Sequence, residues 1–260
     1  MTIWIAILLG LVQGLCEFLP VSSSGHLVLL QRIFGVSEGA LFFDSMLHIG
    51  TLAAVLSVYR KSVWQMITHP FQKKVGLLLA ATAVTTLLAL AFGDTLGELY
   101  GGAYLGFGFL FTSLLLTLGD QLGNGKKSVA RLSYPGAAGI GLIQGIAILP
   151  GVSRSGSTIT AGRFFGLTKE EAAEFSFLLS IPAILGSLVL QLPSVMESGL
   201  SGITWPTIAV GTITAAISGY FAIRFVLRLI NRKSLRGFAV YTAALGALVL
   251  LDQFVLKLFF

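Results

Sequence analysis

Charge is scarce in this chain. Lysine, arginine, aspartate and glutamate make up 11% of its 260 residues, against about 25% in an ordinary soluble domain. So few charges do not build a normal water-facing surface, which excludes a typical soluble globular fold. Cysteine is nearly absent: Cys16 stands alone, so no intrachain disulfide forms. The first apolar run, MTIWIAILLGLV, has no basic flank and does not read as a signal peptide. It is also short for a membrane span, which needs about 20 apolar residues.

What is present is hydrophobic. Apolar residues make up 55% of the chain, the mean hydropathy is +0.89, and there are 31 glycines, as helix-packed membrane proteins allow. The expected fold is an all-α integral membrane protein, with residues 1–260 forming one membrane domain. Six stretches are long enough to cross a bilayer: 40–59, 75–93, 99–119, 172–191, 205–230 and 236–256. Two others are too short. Residues 1–19 are interrupted by Gln13 and Glu17 and halted at Pro20; residues 136–149 are interrupted by Gln144 and halted at Pro150. Each runs into a Ser/Gly-rich loop and a second short apolar piece. This pattern predicts two re-entrant helical hairpins, over about 1–34 and 136–166, because irregular backbone at membrane depth needs protein or water around it.

The net charge of +6 follows membrane orientation rather than nucleic-acid binding. Arg60, Lys61, Lys73 and Lys74 follow the first span, and Lys126, Lys127 and Arg131 the third. Arg228, Arg232, Lys233 and Arg236 surround the junction of the fifth and sixth. The alternate loops, 94–98 and 192–204, have no lysine or arginine and hold Asp94, Glu98 and Glu197. Positive charge stays inside, so the basic loops are expected in the cytoplasm and both termini outside; Arg32 and Lys257 run against that trend.

The chain repeats itself. GLVQGLCEFLPVSSSGHL (10–27) aligns without gaps on GLIQGIAILPGVSRSGST (141–158), an offset of 131 residues with 8 of 18 positions identical. Three spans follow each copy, and an odd number of crossings inverts the second half. The expectation is an inverted-topology repeat with halves 1–130 and 131–260, whose shared site lies where the broken helices meet. Both copies carry G-x-x-x-G, at Gly10/Gly14 and Gly141/Gly145, which predicts that the two half-helices meet at the pseudo-twofold axis.

The two loops differ in their chemistry. The first offers Glu17, Ser23 and His26; the matching positions in the second are Ile148, Arg154 and Ser157. An arginine ringed by Ser153, Ser155, Ser157 and Thr158 suits phosphate or another oxyanion. If Ser157 and Thr158 open the short helix leading to Phe165, its N–H groups add to that site. Ser22 and Ser24 are further candidates for phosphate oxygens, or loop hydroxyls that satisfy backbone. Gln13 and Glu17 lie four apart on one helical face, placed either to hold Mg2+ or Ca2+ or to bond a neighbouring helix. His26, three residues after Ser23, or Glu17 is placed to take the serine proton; the other reading of Ser23 and His26 is a hydroxyl and a ring that merely cap a half-helix. Asp44 and His48, at the start of the first full span, read as structural or interfacial. Arg163 and Glu174 read as packing or ion-pair residues.

These motifs resemble the bacterial undecaprenyl-diphosphate phosphatases of the bacitracin-resistance type. The resemblance rests on QGLCEFLPVSSSGHL (13–27), PGVSRSGSTIT (150–160) and EFSFLLSIP (174–182), and it covers essentially the whole chain. It implies hydrolysis of undecaprenyl diphosphate to undecaprenyl phosphate and inorganic phosphate, which recycles the cell-wall lipid carrier and confers bacitracin resistance. It implies a divalent cation, a homodimer and the bacterial plasma membrane, with the site facing outside. It assigns Glu17, Ser23, His26 and Arg154 as core residues and Ser153 and Thr158 as supporting contacts. The family's acidic motif is Glu or Gln, three residues, then Glu; here it reads Gln13 to Glu17, one carboxylate fewer than the motif allows. Partners are then the isoprenoid diphosphate and membrane lipids. Whether Ser23, His26 or water attacks phosphorus stays open at this level. A lipid or small-molecule transporter built on the repeat is the alternative, and the asymmetry of the loops favours the enzyme.

Overall fold

The structure, a computed structural model, describes residues 1–36, 40–92, 102–123, 125–198, 203–232 and 234–260. Among them no strand forms; Lys127 and Leu167 make an isolated bridge. In the first half, α1 (Ile3–Phe18) and α2 (Ser23–Ile33) precede α3 (Ala40–Val58), α4 (Arg60–Thr68), α5 (Lys73–Ala91) and α6 (Leu105–Gln121). In the second, α7 (Tyr134–Ile146) and α8 (Arg154–Phe164) precede α9 (Lys169–Ser198), α10 (Trp205–Arg232) and α11 (Arg236–Leu251). A π-helical turn, Asp252–Leu256, extends α11.

Five of these helices are long and apolar enough to cross a membrane: α3, α5, α9, α10, and α11 with its π turn. The sixth expected span corresponds to α6, which has 17 residues; the first residues of its expected range, 99–101, lie outside those described, as do Asp94 and Glu98. The expected loop at 192–204 is helical up to Ser198, because α9 runs through Pro182 and Pro193; apolar helices tolerate proline where neighbours satisfy the freed carbonyls. One helix went unread in the sequence. α4 (RKSVWQMIT) buries none of its residues.

The halves exchange their first helices. α1 packs against α10, and α7 against α5. The two G-x-x-x-G motifs make these seams. A Cβ on Gly14 would stand 2.7 Å from the Gly219 nitrogen of α10, and one on Gly141 2.8 Å from Ala81 Cα of α5. The expectation that these glycines bring the two half-helices together is therefore corrected: each motif docks on a span of the opposite half, whose own small residues let two backbones approach. α6 and α11 pack on each other.

The basic loops gather at one end. Lys73 Nζ donates to Ala130 O at 2.8 Å, Lys127 Nζ to Phe165 O at 3.2 Å, and Arg236 Nε to Asp120 at 2.9 Å. Arg163 donates to the carbonyls of Gly119 and Leu122, where a helix C-terminus attracts cations. Glu174 pairs with Lys74. Arg32, the repeat mate of Arg163, donates to Phe259 O at 3.3 Å and lies 4.6 Å over the Phe260 ring.

Candidate active site

Two hairpin turns build the site in the same way. α1 closes at Phe18, and Pro20 offers no N–H to continue it. Ser22 then caps α2, its hydroxyl accepting the Gly25 N–H at 3.3 Å, as Ser153 caps α8 by accepting the Gly156 N–H at 3.1 Å. The next hydroxyl pair also matches: Ser22–Ser24 at 3.4 Å and Ser153–Ser155 at 3.3 Å. The turns differ in strain. Ser22 sits at φ +71, whereas Ser153 sits at φ −74. A non-glycine residue held there costs on the order of 1–3 kcal/mol and clusters at functional sites.

The turns touch. Ser155 Oγ donates to Leu19 O at 3.0 Å. Thr112 of α6 fastens the second turn, donating to Gly151 O at 2.8 Å and accepting the Ser153 N–H at 2.8 Å. Glycine is needed at this contact: a Cβ on Gly25 would lie 2.9 Å from Gly151 Cα.

Glu17 stands at the junction. Its Oε1 accepts Arg154 Nη2 at 2.6 Å; its Oε2 accepts the Ser23 hydroxyl at 2.5 Å and Gln13 Nε2 at 3.1 Å. The Glu17 side chain is 6% exposed and that of Arg154 16%, so this is a buried ion pair with added hydrogen bonds. Arg154 also donates to Ser176 O at 3.4 Å.

His26 is close by but turned elsewhere. Its Nδ1 lies 2.7 Å from Ser22 O. A carbonyl only accepts, so Nδ1 carries the proton. Nε2 is then the acceptor for Tyr241 O–H at 2.7 Å, and the two rings stack at 5.7 Å. The expected approach of His26 to Ser23 is not made: Ser23 turns to Glu17, because the cap points the Ser22 carbonyl at the imidazole.

The remaining expected phosphate contacts divide. Ser22, Ser24, Ser153 and Ser155 lie at the two turns. Ser157 and Thr158 do not open α8, which starts at Arg154 with Ser153 as its cap. Thr158 donates to Arg154 O at 2.9 Å and meets Ser176 Oγ at 2.6 Å; Ser157 Oγ is buried without a partner. Both sit inside the helix because capping begins a turn earlier than their side chains suggested.

Two neighbours were not read as site residues. His48 Nε2 stands 3.9 Å from Glu17 Oε2, while its Nδ1 is 2.7 Å from Asp44 O and Gln31 holds the Asp44 carboxylate at 2.7 Å. The signal was a histidine in an apolar span. Tyr241 comes from α11, 215 residues from His26 in sequence, and nothing local marked it.

The junction offers a cation one carboxylate, Glu17, beside the Gln13 amide. Among the described residues no three His, Cys, Asp or Glu side chains converge. Gln13 offers its NH2 to Glu17, leaving its Oε1 buried without a partner, and Arg154 already neutralises the carboxylate. What the cluster does offer is a hydroxyl on a carboxylate, a guanidinium, and the N-termini of two helices, a combination suited to a phosphoryl group.

The fold and site thus define a multi-pass helical membrane protein with a buried Glu17–Arg154–Ser23 cluster at the starts of two short helices. The chain belongs to the bacitracin resistance protein BacA family, whose model matches residues 6–248. It is similar to the undecaprenyl-diphosphatase of Carboxydothermus hydrogenoformans, 45% identical over 95% of this chain and 96% of that one. Undecaprenyl-diphosphatase 4 of Bacillus thuringiensis subsp. konkukian is 42% identical over 96% of each chain. The undecaprenyl-diphosphatase of Halothermothrix orenii is 39% identical over 96% of this chain and 98% of its own.

Proposed function

We propose that this protein hydrolyses undecaprenyl diphosphate to undecaprenyl phosphate and inorganic phosphate, and so supports cell-wall carrier recycling and bacitracin resistance. The observation that carries the reading is the Ser23–Glu17–Arg154 cluster. Ser23 Oγ attacks the terminal phosphorus while its proton passes to Glu17 Oε2. The bond to the bridging oxygen breaks, and undecaprenyl phosphate leaves. Water then attacks the phosphoserine; the P–Oγ bond breaks as Glu17 returns its proton to Ser23 Oγ, and inorganic phosphate leaves carrying both hydrogens of the water. Arg154 and the first-turn N–H groups of α2 and α8 stabilise charge on the transferring phosphoryl, the largest catalytic contribution in such reactions. His26, bonded through both nitrogens, orients the turn by holding the Ser22 carbonyl.

We extend the proposal to topology: six spans and two re-entrant hairpins in an inverted repeat, with halves 1–130 and 131–260. The exchange of α1 and α7 between halves supports it. The site faces the outside of the bacterial plasma membrane, and the protein works as a homodimer. A divalent cation, Mg2+ or Ca2+, is part of the proposal: Glu17 and the unpartnered Gln13 Oε1 would hold it, and it would offset charge on the diphosphate; no step runs through it.

The test is hydrolysis in detergent by wild type, Ser23→Ala, His26→Ala and Arg154→Ala, with mapping of any phosphoenzyme. Full activity in all three variants would falsify the site, and label on His26 with Ser23 intact would remove the serine step. The crossed halves favour a transport reading too; lipid translocation in proteoliposomes without phosphate release decides for it.

A further inference from the structure

The seam between α3 and α10 holds a groove that the Glu17 cluster does not use. Ser57, Arg60, Lys61 and Ser62, around the end of α3, meet Tyr220 and Arg224 of α10 around a cavity of about 450 Å³. Arg224 is held there: its Nη1 donates to the Tyr220 hydroxyl at 3.0 Å, and its guanidinium lies 5.5 Å over that ring. Among the described residues lining the cavity, none is acidic. A second hollow of about 320 Å³ shares Ser57 and Tyr220 and continues along the seam between Ala53, Ala54, Ala216, Ile217 and Phe221. Ala53, Ile217 and Phe221 are exposed on the outer wall of the helix bundle.

A furrow floored by alanines and capped by three cations matches one kind of molecule: an amphiphile with a negative head and a long apolar chain. Basic pockets between membrane helices recognise anionic lipid headgroups in this way. We propose that the seam binds an anionic bilayer phospholipid, with its phosphate diester among Arg60, Lys61 and Arg224 and one acyl chain along the alanine furrow. A bilayer lipid is the occupant because the furrow opens on the exposed outer wall, and no residue lining it belongs to the turns that hold Glu17 and Arg154. The inference rests on the membrane placement of these helices and not on the phosphatase reading.

Native mass spectrometry of the purified chain in detergent tests this, with phosphatidylglycerol and phosphatidylcholine added in equal amounts. Wild type is expected to retain one phosphatidylglycerol in preference. Arg60→Gln/Lys61→Gln/Arg224→Gln is expected to bind it about a hundredfold more weakly, at roughly a factor of five per basic residue, while hydrolysing undecaprenyl diphosphate at the wild-type rate. Ala53→Leu, which fills the furrow and keeps every charge, is expected to reduce retention as well. Equal retention of the two lipids by wild type, or unchanged preference in the triple variant, overturns the proposal. Displacement by millimolar inorganic phosphate overturns the lipid assignment, and so does displacement by an equal amount of undecaprenyl phosphate. Should the triple variant lose hydrolysis, Tyr220→Leu, which removes both the hydroxyl and the ring that hold Arg224 and leaves its charge, takes its place; unchanged lipid preference there overturns the role of the fixed guanidinium.

Discussion

Arg154→Met isolates what the buried ion pair does. Glu17 would keep Ser23 and Gln13 as hydrogen-bond donors but lose its 2.6 Å partner, leaving a carboxylate with a 6% exposed side chain and no counter-charge in its bond. Breaking a buried pair from one side costs about 3–5 kcal/mol. The two surviving donors place the cost at the low end, about 3 kcal/mol, or a fall in midpoint temperature of roughly 6–12 °C for a chain of this size. Glu17→Gln/Arg154→Met removes both charges, so it is expected to return to within about 1 kcal/mol of wild type. That is a coupling of about 2 kcal/mol or more, the range for residues in contact. Hydrolysis follows a different pattern. It drops by at least about a hundredfold in Arg154→Met, in line with loss of one stabiliser of transition-state charge, and stays lost in the double variant. Thermal unfolding in detergent and phosphate release are the two assays. If the two single losses in stability simply add in the double variant, Glu17 and Arg154 are not an energetically coupled pair.

Three further variants probe the rest of the arrangement. Ser157→Ala removes a buried hydroxyl that has no partner; stability is expected to hold or rise, with hydrolysis unchanged, and a marked loss of phosphate release would restore Ser157 as a substrate contact. Gly14→Ala forces a Cβ to 2.7 Å from the Gly219 nitrogen, so thermal stability falls. Gly186→Ala, in a helix with open space around it, gains about 0.5–1 kcal/mol; a similar sign in both would refute the close approach of α1 and α10. Tyr241→Phe keeps the ring stacked on His26 but removes the hydroxyl donor to Nε2. A stability loss of about 1 kcal/mol with hydrolysis retained is expected, and abolished hydrolysis would instead place Tyr241 on the substrate.

Much of this was readable because it is local or periodic. Long apolar runs mark the spans, and Pro20 and Ser22 mark a helix end and a cap within three residues. The gapless repeat located both turns together. Contacts that depend on which helix lies beside which were not readable. The same G-x-x-x-G spacing serves a meeting of half-helices or docking on a distant span, and only the fold shows that Gly14 faces Gly219 and Gly141 faces Ala81. A spacing of three residues pairs His26 with Ser23 on the sequence. A first-turn backbone carbonyl, that of Ser22, competes for the imidazole and takes it. Ser157 and Thr158 have side chains that suit a helix start, but Ser153, equally good, comes first.

The asymmetry of the duplicated turn explains how one fold element serves two roles. Both copies use the same serine cap and the same serine two residues later, so both aim a helix N-terminus toward the junction. At the residue between them, the first copy has Ser23 and the second Arg154, and each reaches the same carboxylate from its own helix start. Equivalent positions therefore deliver a hydroxyl and a counter-charge to opposite oxygens of Glu17. The strain at φ +71 falls on Ser22, directly before the proposed nucleophile, and its mate Ser153, directly before the arginine, is relaxed. A long guanidinium reaches its target by side-chain length, whereas a serine hydroxyl has one bond to swing on and depends on its backbone for aim. The positive φ at Ser22 is the turn that supplies that aim.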